Sequence, residues 1–559
     1  MLSRSLLAVA SFLLPSLVSG SPLMRKSQNS TCEYDSVDAY ACWGDYSLST
    51  NCYDEVPDTG VTREYWFDLT NTTAAPDGVE RVILAINGSV PGPTITADWG
   101  DTVVVHLKNS LESNGTSLHF HGIRQNNTNS QDGVASITQC PLAPGDSMTY
   151  TWRATQYGSS WYHSHFALQA WNGLFGGIQI NGPHSAPYDE DLGILFLNDW
   201  SHETADALYE VAQTSGPPQM DNGLINGTNT YDGAGSRFTT AFESGKKYRM
   251  RLVNGAIDTH FKFFIDNHNL TVITSDFVPI NPYETDMVSI GIGQRYDVIV
   301  EANQDTGNYW MRAVPQTTCS TNANTLDIKG IVRYDSSSTD DPTTDVIDYD
   351  DTCLDEDMDN LVPVVSLDAG SSSYDETMAV GLSVINGAFK WTLNSVTFLS
   401  DWDYPTLQQV LDGNDTYRDG QQIVELPERN QWVYFIIQNN LGLPHPIHLH
   451  GHDFWVLAQG PGTYDGSGAA LRTTDAPRRD VAVLPGTGHL VIGFYTDNPG
   501  IWLMHCHIGW HTSEGFALQL VERIDEIPGI TDAGYVGDAC ASWETYSAAA
   551  GIVQIDSGV

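Results

Sequence analysis

The residues best able to do chemistry in this 559-residue chain fall in four short clusters: His119-Phe120-His121, His163-Ser164-His165, His445 with His448-Leu449-His450, and His505-Cys506-His507 with His511. They gather ten of the 17 histidines and one thiol. Imidazole and thiolate are donors for transition metals, and one Cys with two His and a weak axial partner is the ligand pattern of a blue copper site. Side chains alternate along an extended strand, so His505 and His507 face one way and Cys506 the other. One strand then carries two metal centres back to back, on the order of 10–15 Å apart for outstretched side chains on neighbouring Cα atoms. Ten imidazoles and a thiolate are too many for one ion and suit four.

Such ligands need strands to hold them. From Thr62 to Ile180 short β-rich runs alternate with turns. In the run from Asp101 to Leu107, for example, Val103, Val105 and Leu107 share one face. Helical periodicity is scarce. This spacing predicts a Greek-key sandwich that ends near Gly182-Pro183.

An internal comparison extends the reading. Ser117 to Gly122 matches Pro446 to Gly451, and Trp161 to His165 matches Trp502 to His507. The middle third repeats the frame without ligands: Tyr248 to Val253 leads to Thr259 to Phe263, and Asn308-Tyr309-Trp310 stands where a His-X-His pair would follow. The chain therefore reads as three related sandwiches at 55–183, 184–334 and 361–545, the first and third bearing metal. Eleven acidic and no basic residues between Asp335 and Asn360 predict a solvated linker over 335–360, and 546–559 forms a tail.

Composition bounds the rest. Hydrophobic content of 41% is ample for buried cores, and a net charge of −44 argues against nucleic acid or an anionic membrane as partner. Met1 to Gly20 reads as a secretory signal, and no other apolar run is long enough to span a bilayer, so a secreted, soluble protein is expected. The 21–54 segment opens with either a short pro-segment or a frayed terminus. Asn-X-Ser/Thr sequons at Asn29, Asn71, Asn87, Asn114, Asn126, Asn226, Asn269 and Asn414 fit a glycosylated surface. With Cys506 reserved for metal, seven cysteines remain, an odd number for pairing.

In order and in detail, Ser117-Leu118-His119-Phe120-His121-Gly122, Trp161-Tyr162-His163-Ser164-His165, the His445 to Gly451 stretch and the Cys506 stretch resemble the multicopper oxidases, and within them the ascomycete-type fungal laccases, from about residue 55 to the end. The resemblance implies an all-β fold of three cupredoxin-like Greek-key β-sandwich domains and four Cu ions per monomer. His445, Cys506 and His511 would hold the type 1 copper. His119 and His448 would hold type 2; His121, His163 and His507 one type 3 ion; His165, His450 and His505 the other. The first domain supplies four ligands and the third seven, so the three-copper cluster must lie between them. The implied reaction is one-electron oxidation of phenolic substrates, lignin-derived phenols among them, coupled to four-electron reduction of O2 to water, by a monomer.

The family's axial position, ten residues after the Cys, is Phe516, which cannot ligate and favours a high potential. Met504, on the Cys506 face of the strand, is its rival. Asp258 matches the carboxylate that accepts the phenol proton, and Asp132 the acid that feeds protons to oxygen reduction. Read from residues alone, Asp258 is a loop acid and Asp132 a turn former before Gly133. The resemblance also implies disulfides Cys32–Cys42, Cys140–Cys540 and Cys319–Cys353. Cys52 is then surplus, or competes with Cys42 for Cys32. The Asp556 to Val559 tail either enters the channel to the cluster or hangs loose. Phe120 and Gly509 depart from the family's usual residues, and His452 reads as structural. Rival functions are a narrow-substrate oxidase of the same scaffold (phenol-coupling oxidase, ferroxidase or ascorbate oxidase) and a copper-binding protein without catalysis.

Overall fold

The computed structural model describes residues 39–466 and 471–559. Six large sheets pack as three β-sandwiches. The first pairs the sheet built on Thr62–Ala74, Arg81–Ile86, Thr102–Asn109 and Ser147–Arg153 with one built on Gly92–Asp98, His119–Phe120, Gly158–His163 and Phe175–Asn181. The second and third each pair a six-stranded with a five-stranded sheet, over residues 190–333 and 374–522.

The sequence alternation is the cause of the first sandwich. Val103, Val105 and Leu107 are fully buried and stand opposite Trp152, Tyr150 and Met148 on the antiparallel neighbour. Each such side chain contributes roughly 1.5–3 kcal/mol on burial.

The threefold repeat has a topological signature. In every sandwich the first long strand pairs in parallel with a later one: Thr62–Ala74 with Thr102–Asn109, Glu190–Trp200 with Lys247–Asn254, and Tyr374–Ile385 with Trp432–Asn439. The ligand-bearing pairs repeat too. His119 opposes His163 in the first sandwich and His448 opposes His505 in the third, while in the middle one Phe261 opposes Pro315. Buried side chains of the second and third sandwiches, such as Phe261, Val298, Phe435 and Leu490, belong to one continuous core.

Three features depart from the sequence reading. Most of the acidic run is exposed, as a solvated linker would be, but two of its acids are tied in: Asp355 accepts hydrogen bonds from Gln294, Gln459 and the Val483 N–H at 2.5, 2.7 and 2.9 Å, and Glu356 accepts from the Ser289 N–H at 2.6 Å. These carboxylates satisfy groups at sandwich edges, so their charge serves packing as well as solvation. Next, helix Ala533–Ala550 spans the 545/546 limit set from sequence. Only Val536 and Trp543 on it are buried, too few to leave an apolar stripe legible in sequence; Asp532 caps its start and Gly551, at φ +66°, its end. Finally, the helix does not belong to the third sandwich alone, because Cys540 reaches back to Cys140 across 400 residues.

Cys319 bonds Cys353, as the resemblance implied, and Cys52 is a free thiol. Cys32, the signal segment and Asn29 lie outside the described residues. Among the described residues no helix is long and apolar enough to cross a membrane.

Candidate metal centres

Strand Gly500–Cys506 sits in the middle of a sheet, paired on one side with His445–Leu449 and on the other with Ala517–Glu522. His445 opens its neighbour strand, Cys506 closes its own, and His511 lies in the short helix Gly509–Ser513 that follows. Their donor atoms converge. His445 Nδ1 and His511 Nδ1 are 3.2 Å apart, and Cys506 Sγ is 3.7 and 3.6 Å from them.

All three side chains are buried. Burial holds the His445 pKa down at about 3, holds His511 well below the ordinary imidazole range, and pushes the Cys506 thiol up. Two buried neutral imidazoles turn Nδ1 on each other and on a thiol, so these three donors have only one another as partners here. A soft cation would bind both nitrogens and draw off the thiol proton.

Phe516 closes this centre without offering a donor. Its ring centroid is 4.9 Å from that of His445, and it stacks on Trp391 at 5.8 Å. The ring is tied in place from both sides, since the Cys506 N–H donates to Phe516 O and the Phe516 N–H to His511 O. Met504 packs in the same core.

Facing the other way along the strand, eight histidines form a second centre. His119, His121 and His448 make one close group, His121, His163 and His507 another, and His165, His450 and His505 a third, each with donor atoms within 4.8 Å. All eight are buried. Burial and the neighbouring imidazoles keep His121, His163, His165, His448, His450 and His507 well below the ordinary pKa, and His505 at about 4.

The hydrogen bonds orient the rings. His119 Nδ1 donates to Asp132 O at 2.8 Å, His163 Nδ1 to Ser164 O at 2.9 Å, His448 Nδ1 to Asp480 O at 2.8 Å, His450 Nδ1 to Asp132 Oδ2 at 2.9 Å, and His505 Nδ1 to Cys506 O at 2.9 Å. In each of these rings Nε2 is left buried with no partner. His121 is inverted: Nε2 donates to Asp480 Oδ1 at 3.1 Å and Nδ1 is the orphan. A buried nitrogen without a partner is costly, and seven rings that spend their outer nitrogen on the protein or leave both free, with orphans gathered together, are the donor set of a metal cluster. Imidazole-rich sites of this kind suit copper.

Asp132 does more than form a turn. Its carboxylate and carbonyl hold His450 and His119, and it is fully buried. The following Gly133, at φ +75°, lies so close to Leu118 O that a Cβ there would collide with it. Asp258 is also buried, its N–H donating to Asp199 at 3.0 Å. Burial and the Asp199 charge push the Asp258 pKa up to about 8. The adjacent Ile257 O accepts from the Gly509 N–H, which fixes this loop against the His511 helix. A cavity of about 20 Å³, room for one water, opens here among Ile257, Asp199, Trp171, Trp200 and Trp510.

The Asp556 to Val559 segment is inserted, not loose. Val559 is buried and lines a small cavity together with His163, His165, His505 and His507. His452 pairs with buried Glu522 at 3.0 Å, a structural role.

Two contributors escaped the sequence reading. Thr512 Oγ1 donates to Cys506 O, and Asp480 holds both His121 and His448. The only signal for Asp480 was the charged Arg478-Arg479-Asp480 run entering the apolar strand Val481–Leu484.

Sequence models of the multicopper oxidase family match residues 68–185, 191–337 and 392–526. Laccase-2 of Botryotinia fuckeliana is 48% identical over 96% of both chains. The crystal structure of a laccase from Botrytis aclada superposes with TM-score 0.91 at 47% identity, covering 96% of this chain and all of that one. Fet3p, a multicopper oxidase that functions in iron import, superposes with TM-score 0.79 at 28% identity, covering 89% of this chain and 97% of its own.

Proposed function

The chain belongs to the multicopper oxidase family, and from that premise and the donor geometry we propose that it works as a laccase, oxidising phenols one electron at a time and reducing dioxygen to water. The observation that carries the reading is the strand ending in Cys506, whose thiol enters one donor set while His505 and His507 enter the other. Copper bound at these sets supplies one-electron redox chemistry at the first and oxygen reduction at the second.

The residues present fit four ions. His445, Cys506 and His511 would hold type 1; His119 and His448 type 2; His121, His163 and His507 one type 3 ion; and His165, His450 and His505 the other. Phe516 withholds a fourth donor from type 1. The Cys506 sulfur and its flanking peptides join the two sets covalently, and the hydrogen bond from His505 Nδ1 to Cys506 O shortens that link. Asp258, against the His511 helix, would accept the phenolic proton as the electron leaves. Asp132 holds His119 and His450 in register, and its buried carboxylate would pass protons toward the cluster. Four phenols give four electrons and four protons, which with one O2 make two waters.

The same reading covers the wider organisation. Each pair of sheets lies within one of the segments 55–183, 184–334 and 361–545, which supports that division into domains. Asn71, Asn87, Asn114, Asn126 and Asn269 are exposed, which suits a secreted, glycosylated protein.

The test is dioxygen uptake by copper-quantified protein with a methoxyphenol and, separately, with ferrous iron. A strong blue band and one O2 consumed per four phenols without peroxide are expected; uptake with iron alone would overturn the substrate class.

A further inference from the structure

The middle sandwich supplies none of the eleven donors, yet it touches the histidine cluster. Its loop Gly291 to Arg295 lies against the rings: a Cβ on Gly293 would come within 3.0 Å of His507 and 3.3 Å of His121. Arg295, fully buried, opens strand Arg295–Glu301 and reaches Asp480 with both terminal nitrogens, Nη1 to Oδ1 and Nη2 to Oδ2, each at 2.5 Å. The guanidinium is itself fixed by Gly293 O at 3.1 Å and Ser159 O at 3.3 Å. A second residue of the middle sandwich, Asp276, accepts the Arg295 N–H at 2.9 Å and the Asp480 N–H at 3.1 Å. Side chain and backbone of Asp480 are therefore both set from this sandwich.

Asp480 in turn sets two ring orientations. Its Oδ1 takes the His121 Nε2 proton at 3.1 Å and its carbonyl takes the His448 Nδ1 proton at 2.8 Å. His121 is the ring that presents Nδ1 inward where five of its neighbours present Nε2. That inversion needs an acceptor at one defined point, and a bidentate guanidinium is the group that fixes a carboxylate in both position and plane.

We propose that Arg295 is a positioning residue of the three-copper centre: through Asp480 it holds His121 and His448, so the sandwich without ligands completes the metal site. This rests on the copper assignments above. It also assigns the middle sandwich a part in oxygen reduction that its lack of donors conceals.

The experiment compares copper-loaded wild-type protein with Arg295→Lys, which keeps the charge but loses the fork, and Arg295→Gln. Copper per chain, the type 2 electron paramagnetic resonance signal, the blue band, anaerobic bleaching of that band by a methoxyphenol, and dioxygen uptake are measured. The type 1 donors all come from the third sandwich, so the blue band and its bleaching report correct folding. Both variants are expected to keep these while type 2 copper affinity and dioxygen uptake fall about 10–100-fold, less in Arg295→Lys than in Arg295→Gln. The proposal is overturned if Arg295→Lys keeps the wild-type type 2 signal and uptake rate, or if both variants lose the blue band in step with the rest. Failure of the underlying reading shows separately, as unmodified protein without a blue band, and would take this inference with it.

Discussion

Ending the chain at Ile555 removes the four residues that close the cavity beside His163, His165, His505 and His507. Five hydrogen bonds to the retained chain are lost: Ser557 N–H to Ser513 O, Ser557 Oγ to Thr512 O, Ser400 N–H to Ser557 O, Trp402 Nε1 to Gly558 O, and Gln554 Nε2 to Asp556 O. At about 1 kcal/mol each they contribute roughly 5 kcal/mol, and burial of the Val559 side chain adds about 2 kcal/mol. Against this stands the entropy of ordering four residues, at about 1–2 kcal/mol each, or roughly 6 kcal/mol in all. The two sides cancel to within about 2 kcal/mol. With an unfolding entropy near 2.1 cal/mol/K per residue, a chain of 559 residues loses about 1 °C of Tm per kcal/mol, so truncation shifts Tm by only about 2 °C. Access changes far more. With this cover gone, a small anion such as azide is expected to bind at the cluster on the order of tenfold faster. Calorimetry and stopped-flow absorbance of the azide adduct measure the two effects. A Tm drop beyond about 5 °C, or an unchanged azide rate, would refute the reasoning, since either means the segment is a structural clasp and not a cover.

Asp258→Asn should cut kcat/KM for a methoxyphenol by about 10²–10⁴ while leaving a donor without an ionisable proton unaffected; equal losses on both donors would remove its proton-accepting role. The same variant has a pH signature. The folded pKa of about 8 lies above the ordinary ~3.9 of an unfolded aspartate, so stability is intact below about pH 4 and falls as pH rises to about 8. Asparagine does not ionise, so in urea unfolding of the copper-free proteins the variant should gain on wild type across that window, and a constant difference would contradict the shift. Phe516→Met would offer a thioether donor where the ring now packs on His445, and redox titration of the blue band should give a lower potential with slower phenol oxidation; the swap itself should cost about 1.5 kcal/mol or less in stability. Replacing Cys319 and Cys353 by serine opens a 34-residue loop and should lower unfolding stability by about 3–4 kcal/mol in denaturant titration, with the blue band kept in native buffer.

The sequence alone determined the candidate donors and the strands that carry them. Ligand identity is a matter of residue type, and strand alternation has a period of two, so a few adjacent letters already state that His505 and His507 face away from Cys506. The repeated frame is likewise local, which is why the empty middle sandwich was legible from Thr259 to Phe263 and Asn308 to Trp310. Tertiary structure decided what depends on residues far apart in the chain. Asp480 meets His121 across 359 residues and Arg295 across 185, and no local pattern marks either contact. Most of the acidic run after Asp335 faces solvent as its composition suggests, but that Glu356 and Asp355 satisfy the N–H groups of Ser289 and Val483 is visible only in the fold. Helix Ala533–Ala550 leaves no periodic trace because it buries two side chains and is held by Cys140 from the far end of the chain. The seat of Val559 exists only once strands of the first and third sandwiches have met, so folding, and not any run of residues, makes the cavity it fills.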